Sequence, residues 1–211
     1  MHRFCGNRAT DTSEKTYTKR LIALQKRSWK TILDVQRPYR WNLKRLNPGK
    51  TLDVGCGIGR CLTALPAGSV GIDHNPYSID IVNSMGLTGF VPDDFRRSDS
   101  YILGGYDSLL LSHVLEHLTQ DEGCRLLEQY APLVKLGGLA ILMCPQEKGF
   151  ATDHSHVTFL DRGNLCAMLT MTGFVVQKSF SFPFPRILGR IFAYNETVVV
   201  GRKVSSNSAS T

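Results

Sequence analysis

Four of the chain's six histidines, His113, His117, His154 and His156, lie where their chemistry could be used. A histidine titrates near neutrality, so it can take a proton from a hydroxyl or return one. His156 stands in Asp153-His154-Ser155-His156-Val157-Thr158-Phe159-Leu160, just before a predicted helix, and His113 follows the apolar run Leu109-Leu110-Leu111. Asp153, His154 and His156 could together suit a divalent ion. The spacing H-x-H is too common to carry that assignment, so no metal is assigned. A second constellation is Thr51-Leu52-Asp53-Val54-Gly55-Cys56-Gly57-Ile58-Gly59-Arg60. Its alternate glycines let the backbone turn sharply and approach a ligand closely. The pattern is tighter than the dinucleotide fingerprint G-x-G-x-x-G. Asp73 closes the next apolar run, where a carboxylate can accept both hydroxyls of a ribose.

These residues need a sheet to hold them. Strands are predicted at 51–54, 69–72, 88–91, 107–111, 139–144, 174–181 and 197–202, with the apolar run 107–111 reading as a central strand buried on both faces. Helices are predicted at 60–65, 76–85 and 121–134 and from Asp161 to before Gly173. Pro76 falls near the start of its helix, where its missing N–H costs little. Asp121 and Glu122 suit a first turn. A helical stripe begins near Ser13, Pro38 interrupts it, and residues 39–46 form a second short helix. Residues 182–192 form an apolar, aromatic and basic insert that could close a substrate site, dip into a membrane surface or fold onto the core.

The glycine stretch resembles the first motif of class I S-adenosylmethionine-dependent methyltransferases. Gly71-Ile72-Asp73 is similar to the acidic end of that family's second strand. Residues 106–118, including Ser112-His113-Val114-Leu115-Glu116-His117, resemble its fourth strand and the helix after it, and Leu136-Gly137-Gly138-Leu139 the turn into its fifth strand. The resemblance covers roughly residues 50–180. It implies an α/β, Rossmann-like seven-stranded sheet, mostly parallel with an antiparallel last strand and helices on both faces. It also implies S-adenosylmethionine as cofactor, S-adenosylhomocysteine as product, and Asp53, Gly55, Cys56, Gly57, Gly59, Asp73, His74, Ser112 and His113 at the cofactor. Asp94, with Asp93 as its alternative, would accept from the adenine amino group, and Phe95 would pack on the ring. The segment around His156 resembles one whose histidine faces the acceptor, so His156 is the expected base and His113 the second choice. Tyr17, His117, His154, Phe184 and Arg186 are candidate substrate contacts.

The net charge of +7 is uneven: residues 1–50 carry 13 Lys/Arg against 3 Asp/Glu, residues 51–175 carry 7 against 14, and residues 176–211 carry 5 against 1. Basic flanks can attract an anionic surface. Three parts are expected: a basic helical cap (1–49), the methyltransferase domain (50–203) and a disordered tail (204–211). The six cysteines form no C-x-x-C pair, and no signal-peptide-like apolar stretch opens the chain, so a cytoplasmic setting is expected, with peripheral membrane contact as an option. Asn195-Glu196-Thr197 matches a glycosylation sequon but is discounted on that setting. Asn75-Pro76-Tyr77 falls after the wrong strand for an amino-methylating nucleic-acid motif, and nucleic acid is disfavoured as a partner. The expected acceptor is a hydroxyl on a small molecule or saccharide, with lipid linkage an option, and the expected assembly a monomer or homodimer. The alternatives are nitrogen or carbon methylation, or a non-catalytic nucleic-acid or partner-binding protein on the same fold.

Overall fold

The computed structural model describes residues 29–204. Tyr17, the part of the helical stripe before Trp29 and nearly all of the tail lie outside the described residues. Seven strands, β1 (Thr51–Val54), β2 (Val70–Ile72), β3 (Thr88–Phe90), β4 (Tyr106–Ser112), β5 (Val134–Pro145), β6 (Phe174–Phe182) and β7 (Glu196–Lys203), form one sheet. Their order is β3-β2-β1-β4-β5-β7-β6. Pairings from β3 through β5 are parallel, whereas β7 runs antiparallel to both neighbours. The order reverses between β1 and β4, and the crevice beyond the carboxyl ends of those strands is where open α/β sheets hold ligands.

Alternation along β4 divides the core. Leu109 and Leu111 pack on one face with Leu52, Val54, Leu127, Leu165 and Met168. Leu110 points the other way, into a cluster with Leu43, Ile141, Met143, Val198 and Val200. Successive strand side chains take opposite faces, so a central strand must be apolar throughout.

Around the sheet lie α1 (Trp29–Arg45), α2 (Pro76–Ser84), α3 (Pro92–Arg97), α4 (Gln120–Tyr130), α5 (Glu147–Phe150) and α6 (Arg162–Met171). Their starts are locally specified. Asn75 caps α2 by accepting from Tyr77 N at 3.1 Å, with Pro76 at the first helical position. Thr119 and Glu122 form a reciprocal capping box at α4, as do Asp161 and Asn164 at α6; such caps contribute about 1 kcal/mol each.

One expectation about elements is corrected. Pro38 does not divide the N-terminal helix, because α1 runs through it. An interior proline costs about 3 kcal/mol, and tertiary packing beyond it offsets this. Leu43 is buried, Tyr39 and Leu46 pack on the same cluster, and the Tyr39 ring meets Phe182 edge-on at 5.5 Å. The stretch after Phe90 forms α3, whose short turn carries Phe95 into the core.

Candidate active site

The glycine turn sits at the carboxyl end of β1, locked to β2. The amides of Gly55 and Cys56 both donate to Ile72 O, at 2.7 and 3.0 Å. Gly55 and Gly57 are left-handed, with φ of 77° and 53°. A Cβ on Gly55 would lie 2.2 Å from Val114 Cγ2, whereas one on Gly57 would meet nothing within 4 Å. The first glycine is therefore required by the fold, and the second keeps open a cradle that a side chain would fill. Beside it, Asp73 is held on both oxygens: Gly57 N donates to Oδ2 at 2.8 Å and Asn75 N to Oδ1 at 2.9 Å. These bonds aim the carboxylate before any ligand arrives. His74 lies 3.6 Å from Asp73 Oδ1 and is largely exposed. Cys56 is buried under the turn, and the Ser112 side chain at the end of β4 meets the Cys61 thiol.

Asp53 lies beneath this turn and is buried, with its Oδ2 unpartnered. Burial, and then repulsion from Asp73, push its pKa from 3.8 up to about 7. The folded chain thus holds this proton over a range where the unfolded chain has released it. Stability contributed by the protonated group is lost as pH rises from about 4 to about 7, by at most roughly 4 kcal/mol at 1.36 kcal/mol per unit. Asp53→Asn should remove that penalty. We expect the variant, free of cofactor, to melt several degrees above wild type at pH 8 and to match it near pH 4. Thermal melts across pH check this; equal melting at pH 8 would contradict the buried-charge account. A buried carboxylate with an open oxygen is also suited to a cationic ligand.

The end of β4 carries a charged clamp. His113 takes a left-handed backbone, φ 58°, rare outside glycine, and its amide donates to Met143 O at 2.9 Å. Its Nε2 reaches Glu196 Oε1 at 2.6 Å and its Nδ1 reaches Glu116 Oε1 at 3.2 Å. Desolvation opposes the charge on this ring, but the carboxylates of Glu196 and Glu116 outweigh it and hold the pKa well above its usual value. Desolvation likewise works against the Glu116 carboxylate, yet its bond to His113 brings its pKa down. With both ring nitrogens engaged, His113 has no lone pair to offer an acceptor. That geometry makes it the poorer of the two histidine candidates for base.

His156 differs. Its Nδ1 lies 2.8 Å from Phe150 O. A carbonyl only accepts, so that nitrogen carries the proton and Nε2 keeps its lone pair. The ring stacks on Phe150 at 5.2 Å and meets His117 edge-on at 4.9 Å. Its segment is tied to the end of β4, because Val157 N and Thr158 N both donate to Glu116 O, at 2.7 and 3.1 Å. His154 is exposed, and Asp153 accepts from both N and Oγ of Ser155. Asp153, His154 and His156 do not converge into a metal-ligand group among the described residues.

Five further candidate residues are engaged within the fold. Phe95 is fully buried against Phe90, Tyr101 and Tyr130, so it presents no open ring face to an adenine. Asp93 and Asp94 are exposed and paired with Arg96 and Arg97 on their own helix turn. In the insert, Arg186 pairs with Glu147 through both terminal guanidinium nitrogens, while Phe184 stacks edge-on with Phe192 at 5.1 Å. The insert is neither free nor buried. Asn195 anchors it, donating to Gln146 Oε1 at 2.9 Å and to Ser181 Oγ at 3.0 Å, and accepting from Phe184 N. Because Asn195 is fully buried, the sequon there is inaccessible to a glycosylating enzyme. Ile187, Ile191 and Tyr194 remain outside, at 73%, 72% and 62% exposure. Glu116 and Glu196 carry much of the site's electrostatics and are absent from the sequence-derived set. No helix among the described residues is long and apolar enough to cross a membrane.

Comparison with known proteins agrees with this geometry. A family model described as a methyltransferase domain matches residues 27–179. No curated protein matches the sequence. A SAM-dependent methyltransferase from Archaeoglobus fulgidus superposes with a TM-score of 0.64 at 18% identity, covering 87% of this chain and 99% of that one. Magnesium protoporphyrin IX methyltransferase from Synechocystis, solved with SAH, gives 0.63 at 16% identity, covering 91% and 96%. A possible histamine N-methyltransferase from Thermotoga maritima gives 0.65 at 16% identity, covering 88% and 97%. At such identities structural likeness shows the fold, while the family match spans most of the chain. The chain therefore belongs to the methyltransferase-domain family and is an S-adenosylmethionine-dependent enzyme of class I.

Proposed function

We propose that this enzyme methylates a hydroxyl oxygen of a small molecule or saccharide, with His156 accepting the proton. The observation that carries this reading is the pinned ring of His156, with Nδ1–H spent on Phe150 O and Nε2 left open. The cofactor supplies a methyl on a sulfonium, which the acceptor oxygen takes in line as the C–S bond breaks, leaving neutral S-adenosylhomocysteine. His156 Nε2 receives the hydroxyl proton as the O–C bond forms, so no free alkoxide has to exist in advance. Asp73, aimed by Gly57 N and Asn75 N, accepts from the ribose hydroxyls. The open face of Gly57 admits the ligand, Gly55, Cys56 and Gly59 shape the turn, and Asp53 beneath it favours the ligand's positive charge. His74 and Ser112 flank the crevice, and Asp93 or Asp94 could meet the adenine amino group only after leaving its arginine.

The exposed Ile187 and Ile191, beside Arg190 and behind an anchored base, favour an acceptor with an apolar portion, such as a lipid-linked saccharide met at a membrane surface in the cytoplasm. The basic segment 1–50 would add attraction to an anionic surface. The test is transfer from S-adenosylmethionine to paired acceptors that differ only in offering a hydroxyl or a neutral amine, in wild type and His156→Ala. Turnover confined to hydroxyls and dependent on His156 supports the reading. Turnover of the amine alone, unaffected by the substitution, would replace it with nitrogen methylation, which needs no base.

A further inference from the structure

We propose that Glu116, His117 and His156 form a binding site for one divalent transition-metal ion of the zinc class. The three side chains each bring a ligand atom within 4.8 Å of the other two. A tetrahedral site with bonds near 2.0–2.1 Å has edges of about 3.3 Å, so modest side-chain rotation closes the set. Which atoms would bind is set by hydrogen bonds already made. Nδ1 of His156 donates to Phe150 O at 2.8 Å, and Nδ1 of His117 lies 3.2 Å from both Ser155 O and Ser155 Oγ. Each imidazole therefore keeps Nε2 for a ligand, with its tautomer set by a backbone carbonyl, the outer-shell arrangement that metal-bound histidines use.

The carboxylate gives the independent sign. Glu116 is fully buried; its Oε1 serves His113, while its Oε2 has no hydrogen-bond partner. The Cys144 thiol, a weak donor, also meets the Glu116 side chain. An unsatisfied buried carboxylate oxygen is costly, and a cation would satisfy it. Two imidazoles and one carboxylate suit Zn²⁺ or Co²⁺ and disfavour Mg²⁺ or Ca²⁺, which prefer all-oxygen shells. Both histidines are half-buried, so coordination positions remain open to water or to an acceptor oxygen.

This inference rests on the same reading of the acceptor side and changes how the hydroxyl is activated. A bound ion occupies Nε2 of His156. An acceptor oxygen in an open position would then be acidified by the ion and lose its proton to solvent, where the metal-free imidazole would take that proton itself.

The test uses untagged full-length protein stripped with chelator, without cofactor or acceptor. Co²⁺ is titrated and followed by its visible d–d absorption, then displaced by Zn²⁺ in a calorimeter. We expect one equivalent bound without thiolate-to-cobalt charge-transfer bands. His117→Ala should weaken binding at least 100-fold, and His154→Ala, on the exposed neighbour, should leave it unchanged. Glu116→Gln should also weaken it; because Glu116 is buried beside His113, His117→Ala carries the test if that variant fails to fold. Absence of saturable uptake, binding unchanged in His117→Ala, or binding lost in His154→Ala would overturn the site. None of these readings involves methyl transfer, so failure here leaves the oxygen-methylation reading to stand or fall on its own assay.

Discussion

His156→Ala should lower turnover of a hydroxyl acceptor by about 10²–10⁴-fold, the usual worth of a positioned base. The affinity for S-adenosylmethionine should hardly change, because Asp73 and the glycine turn are untouched. A fall in kcat with little change in cofactor affinity marks an interaction made in the transition state rather than in binding. His156 also packs on Phe150 and His117. His156→Phe therefore belongs in the experiment: it keeps an aromatic ring there and removes both nitrogens. If the two variants lose turnover equally while remaining folded, the chemistry of the nitrogen is responsible. If His156→Phe keeps turnover within a few-fold of wild type, His156 is a packing residue and the base reading is wrong.

The second large effect separates two glycines that look alike in the sequence. Gly55→Ala should destabilise the fold by about 2–5 kcal/mol, combining the left-handed backbone cost of an L-residue with overpacking. Val114 Cγ2 stands 2.2 Å from the new methyl, and valine has little rotamer freedom with which to withdraw. Gly57→Ala carries only the backbone cost of about 1–2 kcal/mol, since its methyl meets no protein atom. That methyl would instead enter the cradle beside Asp73. The expected pattern is a lower melting temperature for Gly55→Ala and a larger loss of cofactor affinity than of stability for Gly57→Ala. Denaturant unfolding together with cofactor titration reads both. Equal losses of stability would contradict the assignment of an open ligand face at Gly57.

These two glycines also show how far the sequence could be read. Their alternation, the apolar β4 and Asp73 at the end of β2 are local signals, and each stands where the pattern placed it. The missed or displaced features depend on tertiary contacts. Pro38 reads as a break because the local cost is visible, whereas the Tyr39, Leu43 and Leu46 packing that offsets it is not. Phe95 reads as a ring for adenine because the family resemblance implies an apolar side chain there, yet the six-residue α3 turns it into a pocket of Phe90, Tyr101 and Tyr130. Glu196 meets His113 across 83 positions, through the antiparallel return of β7. Glu116 stands in the quoted stretch after β4, but only its burial and its open Oε2 distinguish it from a solvated glutamate. The buried amide of Asn195 could not be told from a surface sequon by its three-residue pattern. A charged cluster built from β4, β7 and the loop before α6 has no spacing in one dimension.

The fold thus brings a prearranged carboxylate, an open glycine face and a histidine with a free nitrogen to the carboxyl end of one sheet. The most direct test of that account is calorimetric binding of S-adenosylmethionine to wild type and to Asp73→Ala, with Asp73→Asn as a size-matched control. Hydrogen bonds to a charged group contribute about 1.5–3 kcal/mol each, and a ribose offers two. The account predicts saturable one-to-one binding in wild type and a loss of at least about 100-fold in Asp73→Ala, with both proteins folded. Equal binding by wild type and Asp73→Ala, or none by the folded wild type, would contradict it.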